Sequence, residues 1–159
     1  AWARRLFEEA KQDPIGASVA LGKRYGISRQ EYFAATWGTV DPKVIVSDMS
    51  GVKDILSACK ESTKGMYLLT SAPRAWMDSI MRTAQINPAE YFQDIRSAET
   101  FGSKEEVFSD IARQRAGSTI ISVGDTYETD IAPAVKYGMI GFQVDATNPL
   151  SNIFLAGSL

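Results

Sequence analysis

Two aspartates near the end of a predicted strand are the residues best suited to chemistry. The apolar run 119–123 leads directly into Gly124 and Asp125, and Asp130 follows five residues later near the start of a predicted helix. In open parallel sheets, functional groups gather where the strands end, so both carboxylates can reach the same place. Paired carboxylates suit Mg²⁺, which prefers oxygen ligands and completes its shell with water and phosphate oxygens. Taken alone, the pattern is also typical of an aspartate that caps a helix.

Two further features could bind an anion. The predicted strand 66–69 ends in Thr70 and Ser71, two hydroxyls that precede a helix which Pro73 can begin. Lys104 follows a flexible turn and could present its ammonium group at the start of the next helix. Each feature in isolation has a plainer explanation, because Thr-Ser before a helix is usually a cap and most lysines lie on the surface.

The absence of histidine narrows the chemistry further. Without imidazole, Ser-His-Asp and Cys-His catalysis and histidine-dependent metal sites are excluded. The single cysteine, Cys59, cannot form an internal disulfide, which favours a reducing, cytoplasmic location. Any reaction must therefore use carboxylates, hydroxyls, lysine and a hard cation bound by oxygen.

Composition and charge exclude several classes of partner. The formal net charge is -2, and no run of lysine or arginine is longer than two residues, so we expect neither a nucleic-acid partner nor an anionic membrane partner. No stretch approaches the roughly 18 apolar residues of a membrane span. A content of 45% hydrophobic and 23% charged residues is ordinary for a folded globular protein.

The elements that must position these residues change in character along the chain. Residues 1–42 are helical and rich in aromatic side chains, and Ser28 with Glu31 forms a capping-box pattern at the start of one helix. From residue 43, short apolar runs alternate with helical stretches, which predicts an α/β fold with a parallel sheet. The apolar runs are 44–46, 66–69, 94–96, 119–123 and 140–144, and the predicted helices are about 51–62, 74–85, 104–115 and 129–137.

The order of these features resembles the haloacid-dehalogenase (HAD) superfamily of phosphohydrolases. Its second, third and fourth motifs match Thr70, Lys104, and Asp125 with Asp130, and the agreement covers roughly residues 43–146. The resemblance implies that Thr70, with Ser71, binds the transferring phosphoryl group and that Lys104 neutralises its charge. It also implies that Asp125, helped by Asp130, holds Mg²⁺.

The resemblance also implies a fold and a domain arrangement. We expect a Rossmann-like, three-layer parallel-sheet core over residues 43–159, preceded by a small helical cap over residues 1–42. In the superfamily the cap lies over the site and selects the substrate. The segments 25–27, 31–32 and 40–42 are most similar to the caps of pyrimidine-nucleotidase-like members.

The first motif of the superfamily is the main departure. That motif is a strand ending in Asp-x-Asp, it supplies the nucleophilic aspartate, and nothing before residue 43 resembles it. One alternative is the run 44–48, which would make Asp48 the nucleophile, with Ser50 replacing the second aspartate. Only 22 residues then separate Asp48 from Thr70, too few for the flap that normally follows the motif. The alternative we prefer is that an upstream segment carries the true motif.

A second departure concerns the charge beside Lys104. Glu105 stands where many relatives have proline. A carboxylate next to the lysine would weaken its attraction for phosphate, which argues against the assignment of Lys104.

Two function hypotheses follow. The first is a Mg²⁺-dependent phosphatase of a small phosphorylated metabolite, such as a nucleoside monophosphate, that forms a phosphoaspartyl intermediate when the first motif is present. The second is a catalytically incomplete chain or interaction module, whose open sheet is completed by a second copy in a homodimer. A regulator of the response-receiver type would need its own phosphorylatable aspartate after an early strand and an acidic pair before it, and neither is evident in the sequence.

Overall fold

The structure is a computed structural model that describes residues 2–11, 17–46 and 50–154. The chain forms two compact units, residues 1–47 and 48–159. The sequence-based division, by contrast, falls between residues 42 and 43. Asp48, the alternative nucleophile, lies outside the described residues.

The N-terminal unit is helical, as the sequence predicts for this region. The first two helices pack through small side chains, Ala10 of one and Ala20 of the other. Its buried core comprises Ala10, Ala20 and Leu21, against which Ala17, Ile27 and Tyr32 pack. The elements are α1 (Trp2–Lys11), α2 (Ala17–Tyr25), α3 (Arg29–Thr36), a 3₁₀ turn (Trp37–Thr39) and α4 (Pro42–Ile45).

The capping box predicted at the start of α3 is confirmed. The Glu31 N–H donates to the Ser28 hydroxyl oxygen at 3.1 Å, and the Ser28 N–H donates to Glu31 Oε2 at 2.8 Å. The preceding helix ends at Gly26, whose φ of +70° lies in the left-handed region that favours glycine. Local signals alone therefore fix the boundary between α2 and α3.

The prediction of a strand over residues 44–46 is wrong. Residues Pro42–Ile45 form the short helix α4, in which the Asp41 side chain accepts a hydrogen bond from the Lys43 N–H at 3.0 Å. Aspartate at the N-cap followed by proline in the first turn is a strong helix-start signal, and it outweighs a short apolar run. The Val44 side chain is 77% exposed, which a central strand would not allow.

The C-terminal unit alternates helices and strands in the predicted order. The predicted helix at 129–137 begins as a π-turn, and the remaining helices follow their predicted ranges closely. The elements are α5 (Ser50–Ser62), β1 (Tyr67–Leu69), α6 (Arg74–Thr83), a 3₁₀ turn (Pro88–Glu90), β2 (Asp94–Arg96), α7 (Lys104–Gln114), β3 (Ile121–Gly124), the π-turn (Tyr127–Ile131), α8 (Ala132–Lys136), β4 (Ile140–Gln143) and a second 3₁₀ stretch (Leu150–Phe154).

The four strands of the described residues form two separate parallel pairs. β1 pairs with β2, and β3 pairs with β4. The alternating α/β order and the parallel pairing agree with the fold class predicted from the sequence. The single sheet of a three-layer Rossmann-like core is not present in the described part of the chain, where two short sheets take its place.

One edge of β1 has no strand partner among the described residues. The Thr70 N–H donates to the Arg96 carbonyl at 3.0 Å, which continues the β1–β2 ladder past the end of the strand. A parallel ladder uses the backbone groups of alternate residues, so those of Tyr67 and Leu69 point to the opposite edge. That edge is therefore available to a further strand.

β3 has a comparable edge. The Ile140 N–H donates to the Ile120 carbonyl at 2.9 Å, so the backbone groups of Ile121 and Val123 point away from β4. The Val123 side chain is 40% exposed, although it lies within a strand. No described strand pairs with this edge of β3.

A shared apolar cluster indicates which strands of the two pairs lie nearer to each other. Its buried members lie on α7, on α8 and just before β4. Tyr67 and Leu69 of β1 pack against it, as does Ile120, the residue before β3, whereas no described residue of β2 does. The buried members are Val107, Phe108, Ile111, Ala134 and Met139. β1 and the residue that precedes β3 thus pack against one cluster, although the two strands do not pair.

Within the residues that the structure describes, no helix is long and apolar enough to cross a membrane. The longest, α5, has 13 residues. A span of the hydrocarbon core needs about 20.

Truncation of the cluster should destabilise the fold. Val107 is 2% exposed, so Val107→Ala removes buried methyl groups and leaves a cavity, which should lower the free energy of unfolding by about 2 kcal/mol. Val135 is 52% exposed, and Val135→Ala should change stability by less than about 0.5 kcal/mol. Urea unfolding followed by circular dichroism measures both values, and equal losses would contradict the assignment of this core.

Candidate functional site

A buried ion pair joins α7 to the segment after β3. The Lys104 ammonium lies 2.5 Å from Asp130 Oδ1, and the two side chains are 15% and 9% exposed. The pair joins residues that are 26 positions apart in the chain. The structure thus brings together two of the residues that the sequence singled out.

The start of α7 fixes the position of Lys104. The Ser103 hydroxyl caps this helix by accepting a hydrogen bond from the Glu106 N–H at 3.3 Å, which places Lys104 in the first turn. The helix dipole disfavours a cation there. The Asp130 carboxylate, which accepts a hydrogen bond from Lys104, offsets that cost.

Three groups hold the Asp130 carboxylate. Besides Lys104, the Thr126 N–H donates to Oδ2 at 3.3 Å and the Thr129 hydroxyl donates to Oδ1 at 3.1 Å. Burial by itself raises the pKa of Asp130, but the hydrogen bond and charge of Lys104, together with Thr126 and Thr129, outweigh it and leave the pKa below its ordinary value. Asp130 is therefore an ionised, firmly oriented carboxylate at neutral pH.

Gly124 makes this approach possible. A Cβ atom at position 124 would collide with the Asp130 side chain. The backbone at the end of β3 and the Asp130 carboxylate therefore lie in direct contact, which only glycine permits.

Asp125 differs from Asp130 in its surroundings. It is exposed, and among the described residues its carboxylate accepts a single hydrogen bond, from the Thr126 hydroxyl, which is long at 3.4 Å. Its main-chain carbonyl accepts from Gln143 Nε2 at 3.1 Å, which ties this residue to the end of β4. Asp125 is thus anchored through its backbone while its carboxylate remains available to a ligand.

The donor set suits Mg²⁺ but is incomplete. Carboxylate oxygens are hard ligands, and Mg²⁺ usually takes one or two carboxylates and fills its other positions with water and phosphate oxygens. Asp125 is the better candidate for direct coordination, because the Asp130 carboxylate is already occupied by Lys104, Thr126 and Thr129. Across residues 2–11, 17–46 and 50–154, no group of three or more His, Cys, Asp or Glu side chains is arranged to hold a metal ion.

The predicted anion site at the end of β1 has a different arrangement. The Thr70 hydroxyl accepts a hydrogen bond from the Ala72 N–H at 3.1 Å, and Ser71 is exposed. The Arg74 N–H, at the start of α6, donates to both carboxylate oxygens of Glu99 at 3.0 and 3.1 Å. An internal carboxylate therefore already occupies this helix start, so an anion bound here would rely on the hydroxyls and N–H groups of the loop.

Glu105 does not compete with the Lys104–Asp130 pair. Its Oε1 accepts from Lys136 Nζ at 2.6 Å and from the Tyr137 hydroxyl at 3.3 Å, so it bridges α7 to α8. The hydrogen bond from Lys136 is the main cause that lowers the pKa of Glu105. Because Lys136 pairs with this carboxylate, Glu105 is not expected to weaken the attraction of Lys104 for phosphate.

Sequence reasoning missed several residues that shape the site. Thr126 and Thr129 lie inside the segment it singled out, but their roles depend on the geometry of the turn. Ser122 lies within the predicted strand 119–123, and its hydroxyl was a signal, because a buried hydroxyl requires a hydrogen-bond partner. The sequence gives no sign of the role of Glu99, because its contact with the start of α6 joins residues that are 25 positions apart.

Removal of one partner of the buried pair should be costly. Lys104→Met leaves the Asp130 carboxylate without a cation, and we expect a loss of about 3 kcal/mol, at the low end for buried pairs because Thr126 and Thr129 remain. Lys136→Met breaks the exposed pair with Glu105 and should be much milder. Chemical denaturation at pH 7 measures the free energy of unfolding of both variants. Similar losses would contradict a largely buried Lys104–Asp130 pair.

Acid should remove the contribution of Asp130 to stability. Because its pKa is lower in the folded chain than in the unfolded chain, the ionised carboxylate contributes fully above about pH 4 and loses that contribution as pH falls through the folded value. The difference in unfolding free energy between wild type and Asp130→Asn should therefore shrink below about pH 4. The control Asp54→Asn alters an exposed residue and should follow wild type at every pH. A difference that is independent of pH would contradict an ionised, paired Asp130.

Comparison with known proteins adds a likeness of fold. No protein-family model matches the chain. A solved crystal structure, described as the "putative HAD-hydrolase YfnB from Bacillus subtilis" bound to magnesium, is similar to this chain with a TM-score of 0.56 and 17% sequence identity. The similarity covers 96% of this chain and 76% of that one. At this identity the likeness concerns the fold, which is therefore HAD-like.

Proposed function

We propose that this chain supplies the metal-binding and phosphate-binding groups of a Mg²⁺-dependent phosphohydrolase of the HAD type. The observation that carries the proposal is the Lys104–Asp130 pair, which lies beside the exposed Asp125 at the carboxyl end of β3. A paired lysine next to an available carboxylate is an arrangement suited to a phosphate dianion and its metal ion. The HAD-like fold and the magnesium bound to YfnB are consistent with it.

Each predicted residue has a separate role in this proposal. Asp125 would hold Mg²⁺, which when bound would neutralise charge on the phosphate oxygens. Lys104 would contribute the second positive charge, and Asp130 would keep Lys104 in place. Thr70 and Ser71 would orient the phosphoryl group through their hydroxyls and the loop N–H groups.

The nucleophile requires a carboxylate beyond those at the end of β3. A phosphoaspartyl mechanism divides phosphate transfer into two displacements and needs an aspartate aligned with the leaving oxygen. We propose that this aspartate ends a strand that pairs with the free edges of β1 and β3, since residues of β1 and the residue before β3 pack against the same apolar cluster while the two strands do not pair. Asp48 remains the alternative within this sequence.

The helical unit would supply specificity. We propose that residues 1–42 belong to a small cap that selects a small phosphorylated metabolite. The sequence similarity of three cap segments to pyrimidine-nucleotidase-like proteins makes nucleoside monophosphates the first substrates to test.

A second candidate function rests on the same free edges. A strand edge with unpaired N–H and C=O groups is a template for pairing with another chain. A second copy could complete the sheet, in which case the chain would serve as an interaction module. Light scattering separates the two candidates, because a stable 17.4 kDa monomer contradicts the dimer.

The proposed function is tested in two steps. Calorimetric titration should show that Mg²⁺ binds to the wild type and that Asp125→Asn loses this binding. The control Asp110→Asn, which removes a carboxylate paired with Arg113 on α7, should bind as the wild type does. Absence of Mg²⁺ binding, or equal binding by Asp125→Asn, would contradict the proposed site.

Turnover is the second step. The protein is assayed against p-nitrophenyl phosphate and a set of nucleoside monophosphates, with Mg²⁺ or with EDTA. Activity should require Mg²⁺ and fall at least about 100-fold in Asp125→Asn, because the metal contributes several kcal/mol of charge stabilisation. Loss of activity in Asp48→Asn would identify Asp48 as the nucleophile. Turnover that persists in EDTA would contradict the proposal.

A further inference from the structure

The carboxylate of Asp130 is placed by an unusual turn of the backbone. Residues Tyr127–Ile131 form a π-turn, in which the Ala132 N–H donates to the Tyr127 carbonyl five residues earlier. Such turns are rare and occur mostly as single turns, often at functional sites. In this chain the π-turn carries Asp130 back toward the end of β3.

Pro133 explains why the π-turn stops after one turn. The next hydrogen bond in the same register would need an N–H at residue 133, which proline lacks. The chain therefore changes to the α-helix α8 at Ala132. Proline ends the register but does not fix where the turn lies on the sheet.

Ser122 supplies that attachment. Its hydroxyl donates to the main-chain carbonyl of Asp130 at 2.8 Å, and the serine is 8% exposed. This bond links the middle of β3 to the residue whose carboxylate pairs with Lys104. Because it joins a strand side chain to the backbone of the π-turn, it holds the Asp130 carbonyl at a fixed position along β3.

Two glycines let the π-turn lie directly on the strands. A Cβ at Gly141, which is in register with Ser122, would lie 2.5 Å from Ile131 Cγ2, and a Cβ at Gly124 would collide with Asp130. The turn is therefore in contact with both β3 and β4.

We propose that Ser122 is a positioning residue, whose hydroxyl holds the main-chain carbonyl of Asp130 and thereby directs the Asp130 carboxylate toward Lys104. The inference deepens the proposed function and rests on it where metal binding is concerned. Ser122 lies beneath the site and acts on the ligand through Asp130 and Lys104. Residues that lie behind the direct ligand of a metal typically change metal affinity 10- to 100-fold when they are removed, and in the proposed site Asp130 and Lys104 stand in that position beside Asp125.

The experiment compares Ser122→Ala with Ser122→Thr and Ser122→Val. The last two variants have nearly the same shape as each other, but only Ser122→Thr keeps the hydroxyl. Ser97→Ala is the matched control, because Ser97 is also buried and its hydroxyl also donates a hydrogen bond, at 2.6 Å to Glu99. Crystal structures of the variants give the Lys104 Nζ to Asp130 Oδ1 distance. Electron paramagnetic resonance gives the Mn²⁺ affinity.

Ser122→Ala and Ser122→Val should separate the pair beyond about 4 Å and weaken Mn²⁺ binding about 10-fold, whereas Ser122→Thr and Ser97→Ala should leave both unchanged. A pair that stays intact in Ser122→Ala overturns the inference, and so does an equal loss of affinity in Ser97→Ala. If Ala and Val variants fail to fold while Thr folds, the hydroxyl is structural and the positioning role is overturned. A wild type that binds no Mn²⁺ contradicts the proposed function, while the distances still decide the role of Ser122.

Discussion

A carboxylate buried next to a strand end must find positive charge, and this requirement organises the C-terminal unit. Asp130 is 6% exposed, and an unpaired anion in such a place would cost several kcal/mol. Lys104 meets the requirement from α7, which places the start of that helix over the end of β3. Glycine at position 124 and the π-turn then follow as conditions for the approach, because the carboxylate could not otherwise reach the ammonium group.

The same geometry divides the roles of the two aspartates. Asp130 uses both of its oxygens on protein donors, and Asp125 leaves its carboxylate exposed. A metal ion at Asp125 would therefore meet a lysine whose position is already fixed. Preorganised charge of this kind costs no rearrangement when a phosphate binds.

The divided sheet is the second constraint on the account. Tyr67 and Leu69 of β1 and Ile120, the residue before β3, pack against one apolar cluster, yet each strand has an edge without a strand partner in the described residues. Open edges of this kind normally pair or are covered. In the proposed function, the strand that carries the nucleophilic aspartate would pair with these edges.

Much of the fold could be predicted from local signals, and the errors came from what such signals omit. The alternation of helices and strands, and the capping box at Ser28, follow from periodicity and end signals. The strand predicted at 44–46 failed because Asp41 and Pro42 start a helix there. The pairing of Glu105 with Lys136 depends on how α8 packs against α7, and the hydrogen bond of Ser122 depends on where the π-turn lies. The spacing of residues in the sequence does not show either arrangement. The division into two sheets is likewise a tertiary property.

The most direct test of the account is the position of Mn²⁺ in crystals of this protein, read from its anomalous scattering. We expect an anomalous peak about 2.1 Å from a carboxylate oxygen of Asp125, a typical distance for a hard cation, with Lys104 still paired to Asp130. A peak elsewhere, or none at the carboxyl end of β3, would contradict it.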